Sequence, residues 1–245
     1  MRNLKFVVEY NGGDFFGWQK QNGKRTVQGE LEHAFFELCK EEVEFAGSGR
    51  TDRGVHALGQ VASVRCCCPI PLKNIKQALN NLLPSDIRIL KVENSKEDFH
   101  ARFSAKRKTY VYVVQTGGQR SAIDFKTIGF YPYEVDFEKM KCVARDLVGK
   151  HNFRAFASSD TNVQNFEREI YAVKLSKCGR KIKFEITGNG FLYNMVRIIV
   201  GTLLDIGRGK LDENCIQNAF KNSERNLLGK TMEPNGLYLK SVKYQ

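Results

Sequence analysis

Asp52 lies in the stretch Gly47-Ser48-Gly49-Arg50-Thr51-Asp52-Arg53-Gly54-Val55-His56-Ala57, with one arginine two residues before it and another directly after. Positive charge on both sides favours the charged form of an acid, so this spacing is expected to keep Asp52 ionised. An ionised carboxylate on a loop can serve as a nucleophile or as a base. Glycines at 47, 49 and 54 open backbone conformations that other residues resist and allow a ligand to come close. The same composition also describes an ordinary turn, in which an aspartate bonds its own backbone. Two nucleotide-binding readings fall away. The spacing is neither G-x-G-x-x-G nor G-x-x-x-x-G-K-[ST], and the residues after the loop read as a strand, without the helix whose N-terminus would meet a phosphate.

The loop must be held by its neighbours. Val43-Glu44-Phe45-Ala46 reads as a short strand leading in, and Gln60-Val61-Ala62-Ser63-Val64 as an alternating strand leading out. Upstream, Leu4 to Tyr10 is strand-like, and Asn11-Gly12-Gly13-Asp14 turns into Phe15-Phe16-Gly17-Trp18, an aromatic loop flanked by Lys20, Lys24 and Arg25. Rings of this kind stack on bases while cations meet phosphate, and Trp18 can equally plug its own core. Thr26 is placed to cap a helix running to about Lys40 that buries Val27, Leu31, Ala34, Phe35 and Leu38. Leu72 to Leu82 reads as a second helix, stopped before Pro84, and Ile87 to Val92 as a strand. The order strand, helix, strand, strand, helix, strand is ferredoxin-like.

In the second half, Lys106-Arg107-Lys108 leads into the strand Thr109 to Val114 and sets Tyr110 beside three cations. A helix is expected over Asp136 to Val148, strands over Ile170 to Leu175 and Ile182 to Ile186, a long helix from Gly190 to Ile206, a short one around Glu213 to Phe220, and a last strand near Leu237 to Val242. The long helix is apolar almost all round, so it is expected to be buried. Arg197 interrupts it. A buried guanidinium needs an anion and further acceptors, for which Asp52 is the expected partner, unless the side chain snorkels to solvent.

Lys and Arg total 39 against 27 Asp and Glu, a net charge of +12, which favours a polyanion such as nucleic acid as partner. No apolar run approaches the roughly 18 residues of a membrane-spanning helix, and the first ten residues hold no signal-peptide core, so a cytoplasmic protein is expected. The seven cysteines are odd in number and include Cys66-Cys67-Cys68 without any C-x-x-C, a pattern of reduced filler residues. The four histidines are scattered without the spacing of metal ligands.

Gly49-Arg50-Thr51-Asp52-Arg53-Gly54-Val55-His56-Ala57 resembles the signature of the tRNA pseudouridine synthases of the TruA family. Other segments resemble that family in the same order: Tyr10-Asn11-Gly12 with Phe16-Gly17-Trp18-Gln19-Lys20-Gln21, Thr26-Val27-Gln28, Phe99-His100-Ala101-Arg102-Phe103-Ser104-Ala105 with Tyr110-Val111-Tyr112, Asn189-Gly190-Phe191 through Met195 to Gly201, and Gly236-Leu237-Tyr238-Leu239. The resemblance covers nearly the whole chain. It implies isomerisation of uridine to pseudouridine at positions 38 to 40 of the tRNA anticodon stem-loop, by a homodimer that needs no metal or nucleotide cofactor. It gives Asp52 the role of catalytic aspartate, Arg197 that of the arginine paired with it, and Tyr110 that of the ring stacking on the flipped base. Arg50, His56, Arg102 and Lys108 fall where contacts to the RNA backbone are expected.

The expected fold is α+β, with two ferredoxin-like halves, 1–104 and 105–245, in pseudo-symmetric arrangement. Their sheet is expected to be mixed and mostly antiparallel, with helices on one face and the active cleft between the halves. A noncatalytic RNA-binding or RNA-chaperone protein on the same scaffold is the rival reading. An Asp-dependent hydrolase or phosphotransferase is disfavoured, because no acidic metal-binding cluster surrounds Asp52.

Overall fold

Leu4, Phe6, Val8 and Tyr10 are buried along β1 (Arg2–Tyr10) while the residues between them are half-buried, which is the period of a strand that covers a core with one face. In the computed structural model, which describes residues 1–158 and 163–245, β1 lies between β3 (His56–Cys66) and β4 (Ile87–Asn94) and is antiparallel to both. Helix α1 (Val27–Cys39) precedes the short β2 (Ala46–Gly47), and α2 (Leu72–Leu82) joins β3 to β4. β2 pairs antiparallel with β3 at Ala62 and Ser63. The resulting order, β4-β1-β3-β2, fits the ferredoxin-like element order expected for this half.

Local chemistry explains the pieces. Thr26 Oγ1 accepts from the Gly29 N–H at 3.3 Å and caps α1, while Lys40 closes it in a left-handed conformation with φ of 52°. Val43 to Phe45 lies outside any strand, since the Phe45 ring instead packs edge-on to Phe6 and Phe35 at 5.2 and 5.8 Å. The last strand, β10 (Leu237–Lys243), runs parallel to β3 with Tyr238 opposite His56 and Leu239 opposite Ala57. Residues 238–245 therefore group with residues 1–106 in the first of two units, where the sequence reading placed them in the second half.

The second unit, residues 107–237, holds β5 (Arg107–Thr116), β6 (Gly129–Tyr131), β7 (Gly149–Asn152), β8 (Glu167–Cys178) and β9 (Lys181–Gly188). Its strand order is β5-β9-β8-β7, all antiparallel, with β6 parallel to β5. Each unit is thus α+β, with mostly antiparallel pairing. Helix α3 (Phe137–Val143) is capped by Asp136 and tightens into a 3-10 turn at Ala144–Leu147, dividing the helix expected there. Helix α5 (Cys215–Asn222) follows the long α4 (Met195–Gly207). No helix among the described residues is long and apolar enough to cross a membrane.

α4 is enclosed nearly all round, with twelve of its thirteen residues buried and Arg197 half-buried. Its C-terminal turn carries Asp205, 2% exposed, which accepts from Tyr131 Oη at 2.7 Å and from Lys210 Nζ at 3.0 Å. The segment from Gly229 to Met232 crosses the helix backbone to backbone. Gly229 N–H donates to Thr202 Oγ1 at 3.0 Å, and Met232 N–H donates to the Arg197 carbonyl at 3.3 Å. The crossing needs Gly201, because a Cβ there would fall on the Lys230 carbonyl. Gly201→Ala should therefore destabilise the chain by about 1–3 kcal/mol, the usual cost of overpacking, read as a lowered midpoint of thermal unfolding. Gly190→Ala, where an added Cβ meets nothing closer than 3.8 Å, should leave it in place. Equal midpoints for the two variants would show that the crossing segment yields.

Candidate active site

The loop carrying Asp52 leaves β2 at Gly47 and returns at His56, the first residue of β3. Buried hydrogen bonds hold its first turn. Ser48 N–H donates to the Val61 carbonyl at 2.7 Å, and Ser48 Oγ donates to Gln60 Oε1 at 2.6 Å. Gln60 Nε2 donates to the Gly49 carbonyl at 2.9 Å and to the Tyr10 hydroxyl at 3.4 Å. The Tyr10 hydroxyl shares a 2.7 Å hydrogen bond with Thr51 Oγ1. Either oxygen can be the donor in that bond. Burial pushes the Tyr10 pKa up to about 12, so the hydroxyl remains protonated well above neutrality.

Asp52 itself is half-buried, and the peptide groups on both sides of it are fixed. The Thr51 carbonyl accepts from Trp18 N–H at 3.0 Å, and the Asp52 carbonyl accepts from Val55 N–H at 3.1 Å across a tight turn in which Gly54 has φ of 79°. Gly54 N–H donates to the Phe15 carbonyl at 3.3 Å. The aromatic loop can approach this closely because of its own glycines. Gly17 has φ of 91°, and a Cβ there would sit 2.5 Å from the Thr51 carbonyl oxygen, while one on Gly12 would fall on the Val55 carbonyl. Phe15 and Trp18 are buried, so in this loop they serve the core. Phe16 is half-buried and receives the cations of Arg53 and Lys24 at 4.4 and 4.7 Å from its ring centre.

His56, expected at the RNA, is 1% exposed. Its Nδ1 accepts from Gly12 N–H at 3.0 Å, and its ring stacks on Tyr238 with centroids 4.7 Å apart. In this geometry His56 holds the end of the loop. Arg50 and Arg102 are exposed and line one groove of about 180 Å³ with Trp18, His100 and Phe103. Tyr110, Lys108 and Arg197 belong to the second unit. Tyr110 is half-buried on β5, opposite Ile186, with the Phe191 ring edge-on at 5.2 Å, and Lys108 sits on the same face of the strand. The Arg197 guanidinium donates from Nε to the Met232 carbonyl at 2.6 Å and from one terminal nitrogen to Asn194 Oδ1 at 2.5 Å.

Sequence reasoning passed over Tyr10, Thr51 and Gln60 as parts of the site. The available signal was Gln60, a long polar side chain inside the apolar run of a strand, which must find partners if buried.

A family model described as tRNA pseudouridine synthase matches residues 6–104 and 143–245. Among curated relatives, a tRNA pseudouridine synthase A of Caldicellulosiruptor bescii is 43% identical over 244 residues, covering 100% of both chains. A tRNA pseudouridine synthase A 2 of Clostridium perfringens is 42% identical over 244 residues, again covering 100% of both. A tRNA pseudouridine synthase A of Bacillus pumilus is 43% identical over 243 residues, 98% of each chain. A chain of a solved Cbf5-Nop10-Gar1 complex aligns with 94% of this chain and 56% of its own, at 12% identity and a TM-score of 0.38.

Tyr10→Phe removes the hydroxyl that joins Thr51 to Gln60 and leaves two buried polar groups short of a partner. The variant should lose about 1–3 kcal/mol of stability in thermal or denaturant unfolding. A variant as stable as the parent would show that the loop does not depend on this bond.

Proposed function

We propose that Asp52 carries the chemistry, on the premise that this chain belongs to the tRNA pseudouridine synthase family, isomerases acting on uridine in tRNA. The observation that carries the reading is the clamp on Asp52, whose flanking carbonyls are both bonded to backbone N–H groups while its side chain stays half-buried. A carboxylate held in this way meets a substrate without paying to be ordered, which is the condition for acting on a transition state.

The isomerisation breaks the bond between ribose C1′ and uracil N1, turns the base, and joins C1′ to C5. N1 gains the proton that C5 loses, so the tRNA keeps its mass and its oxidation state. Asp52 acts either as a nucleophile on the ribose or base, or as the base that starts elimination at the sugar. The reacting atoms are buried in a stacked helix, so the nucleotide must leave the stack. We assign the replacement stacking partner to Tyr110, whose ring is braced by Phe191. Arg197 acts as a substrate-side cation, its plane set by Met232 and Asn194. Arg50, Arg102 and Lys108 contact phosphate, and His56 serves the RNA site by holding the loop. The targets are the uridines at positions 38 to 40 of the anticodon arm. The enzyme works as a homodimer in the cytoplasm, as the resemblance of its motifs implies.

Asp52→Asn tests this. The substitution keeps size and most hydrogen-bonding reach while removing the charge that attack or proton abstraction needs. Affinity for tRNA rests on dispersed cations and stacking rings, so binding at matched salt should stay within a few-fold of the parent. Pseudouridine formation should fall by more than about a thousandfold. Retained isomerisation would remove Asp52 from the chemistry, and a misfolded variant without affinity would make it a turn residue only.

A further inference from the structure

Phe103 is 75% exposed, a large ring in water on a loop that is otherwise fixed. Ala101 N–H donates to Ser63 Oγ at 3.0 Å, and the Ala101 carbonyl accepts from the Tyr244 hydroxyl at 2.9 Å. His100 and Ser104 exchange two hydrogen bonds, His100 N–H to Ser104 Oγ at 3.1 Å and Ser104 N–H to the His100 carbonyl at 3.0 Å. His100 Nδ1 accepts from the N–H groups of Arg102 and Phe103 at 3.1 and 3.4 Å, which fixes the imidazole ring. That ring lies against Phe103 with centroids 4.4 Å apart, and the Arg102 guanidinium is 5.6 Å from the Phe103 ring centre. Among the described residues, neither Arg50 nor Arg102 forms an ion pair with a carboxylate.

We propose that Phe103, backed by His100, is a stacking platform for an unpaired base next to the target uridine, with Arg50 and Arg102 taking the phosphates beside it. The proposal rests on the assignment of the chemistry to Asp52. Extruding one nucleotide removes a stacking partner from each neighbour, and an aromatic ring can replace it. Phe103 suits that task because its loop is already ordered, so little freedom is lost on binding. The surroundings favour RNA over a protein partner. An apolar partner would meet two exposed guanidinium groups, whereas a nucleotide brings a ring for Phe103 and a phosphate for the cations. The platform is also on the same groove as Arg50, two residues from Asp52 in the chain.

The test compares the parent with Phe103→Ala, Phe103→Leu and Phe103→Tyr on a prefolded tRNA transcript. Parallel transcripts carry an abasic site at the 5′ or the 3′ neighbour of the target uridine. Phe103→Ala and Phe103→Leu should raise KM and the filter-binding Kd about tenfold or more, leave kcat within twofold, and unfold at the parent's temperature. Phe103→Tyr should stay near the parent. For one of the two abasic transcripts, the penalty of Phe103→Ala should shrink to less than threefold. Parent-like affinity in Phe103→Ala would overturn the platform, as would an undiminished penalty on both abasic transcripts. Should the parent form no pseudouridine in any transcript, the reading of Asp52 fails, and the binding comparison still decides whether a base stacks on Phe103.

Discussion

The edge of β3 is shared between two short partners, and the Asp52 loop occupies the place where one gives way to the other. β2 covers Ala62 and Ser63, while β10 covers His56 and Ala57. A chain leaving a strand edge must find partners for its backbone groups, because an unmet polar group under cover costs as much as a lost hydrogen bond. Here the partners come from two sources. Gln60, on β3 itself, binds the first turn through Ser48 and Gly49, and the aromatic loop after β1 binds the second through Trp18 N–H and the Phe15 carbonyl. Gly12, Gly17 and Gly54 are the positions where a side chain or a negative φ would push these backbones apart. The close fit of Gly59 to the Lys240 carbonyl, at 2.8 Å from an added Cβ, brings β10 into the same arrangement.

Much of this was legible in the sequence. The alternation of β1, the cap at Thr26 and the spacing of α1 each reflect short-range rules, and these elements appear within a residue or two of their expected bounds. The loop around Asp52 was visible from its glycines. Hydrogen-bond partners from distant segments were not, since nothing local couples Tyr10 to Thr51 or Gly12 to His56. β6 and β7, of three and four residues, are too short to show a period and exist because longer strands lie beside them. The long second-half helix starts at Met195, later than its apolar run suggested. Phe191 and Leu192 belong to a loop, and Asn194 takes φ of 62° at the helix start, a conformation asparagine tolerates better than most residues.

Arg197 shows what a cation on an apolar helix gathers around it. Its place on an apolar helix marked it as a cation requiring acceptors, and two acceptors in its immediate surroundings are neutral, the Met232 carbonyl and Asn194 Oδ1. Both hold the guanidinium plane, and both depend on the segment that crosses α4 at Gly201 or on the loop before the helix. Tyr110 is similarly positioned from behind by Phe191. His56, for which a histidine beside an arginine-rich loop suggested RNA contact, is buried with its ring stacked on Tyr238 within the first unit.

Incubating the purified protein with an unmodified tRNA transcript, without added cofactor, is the most direct measurement of the central claim. Intact mass and nucleoside composition would be read together, and the modified position mapped by carbodiimide chemistry. The expected result is an unchanged tRNA mass, with uridine replaced by pseudouridine in the anticodon arm. A folded protein that binds the transcript and leaves every uridine as it was would contradict the assignment of this site to isomerisation.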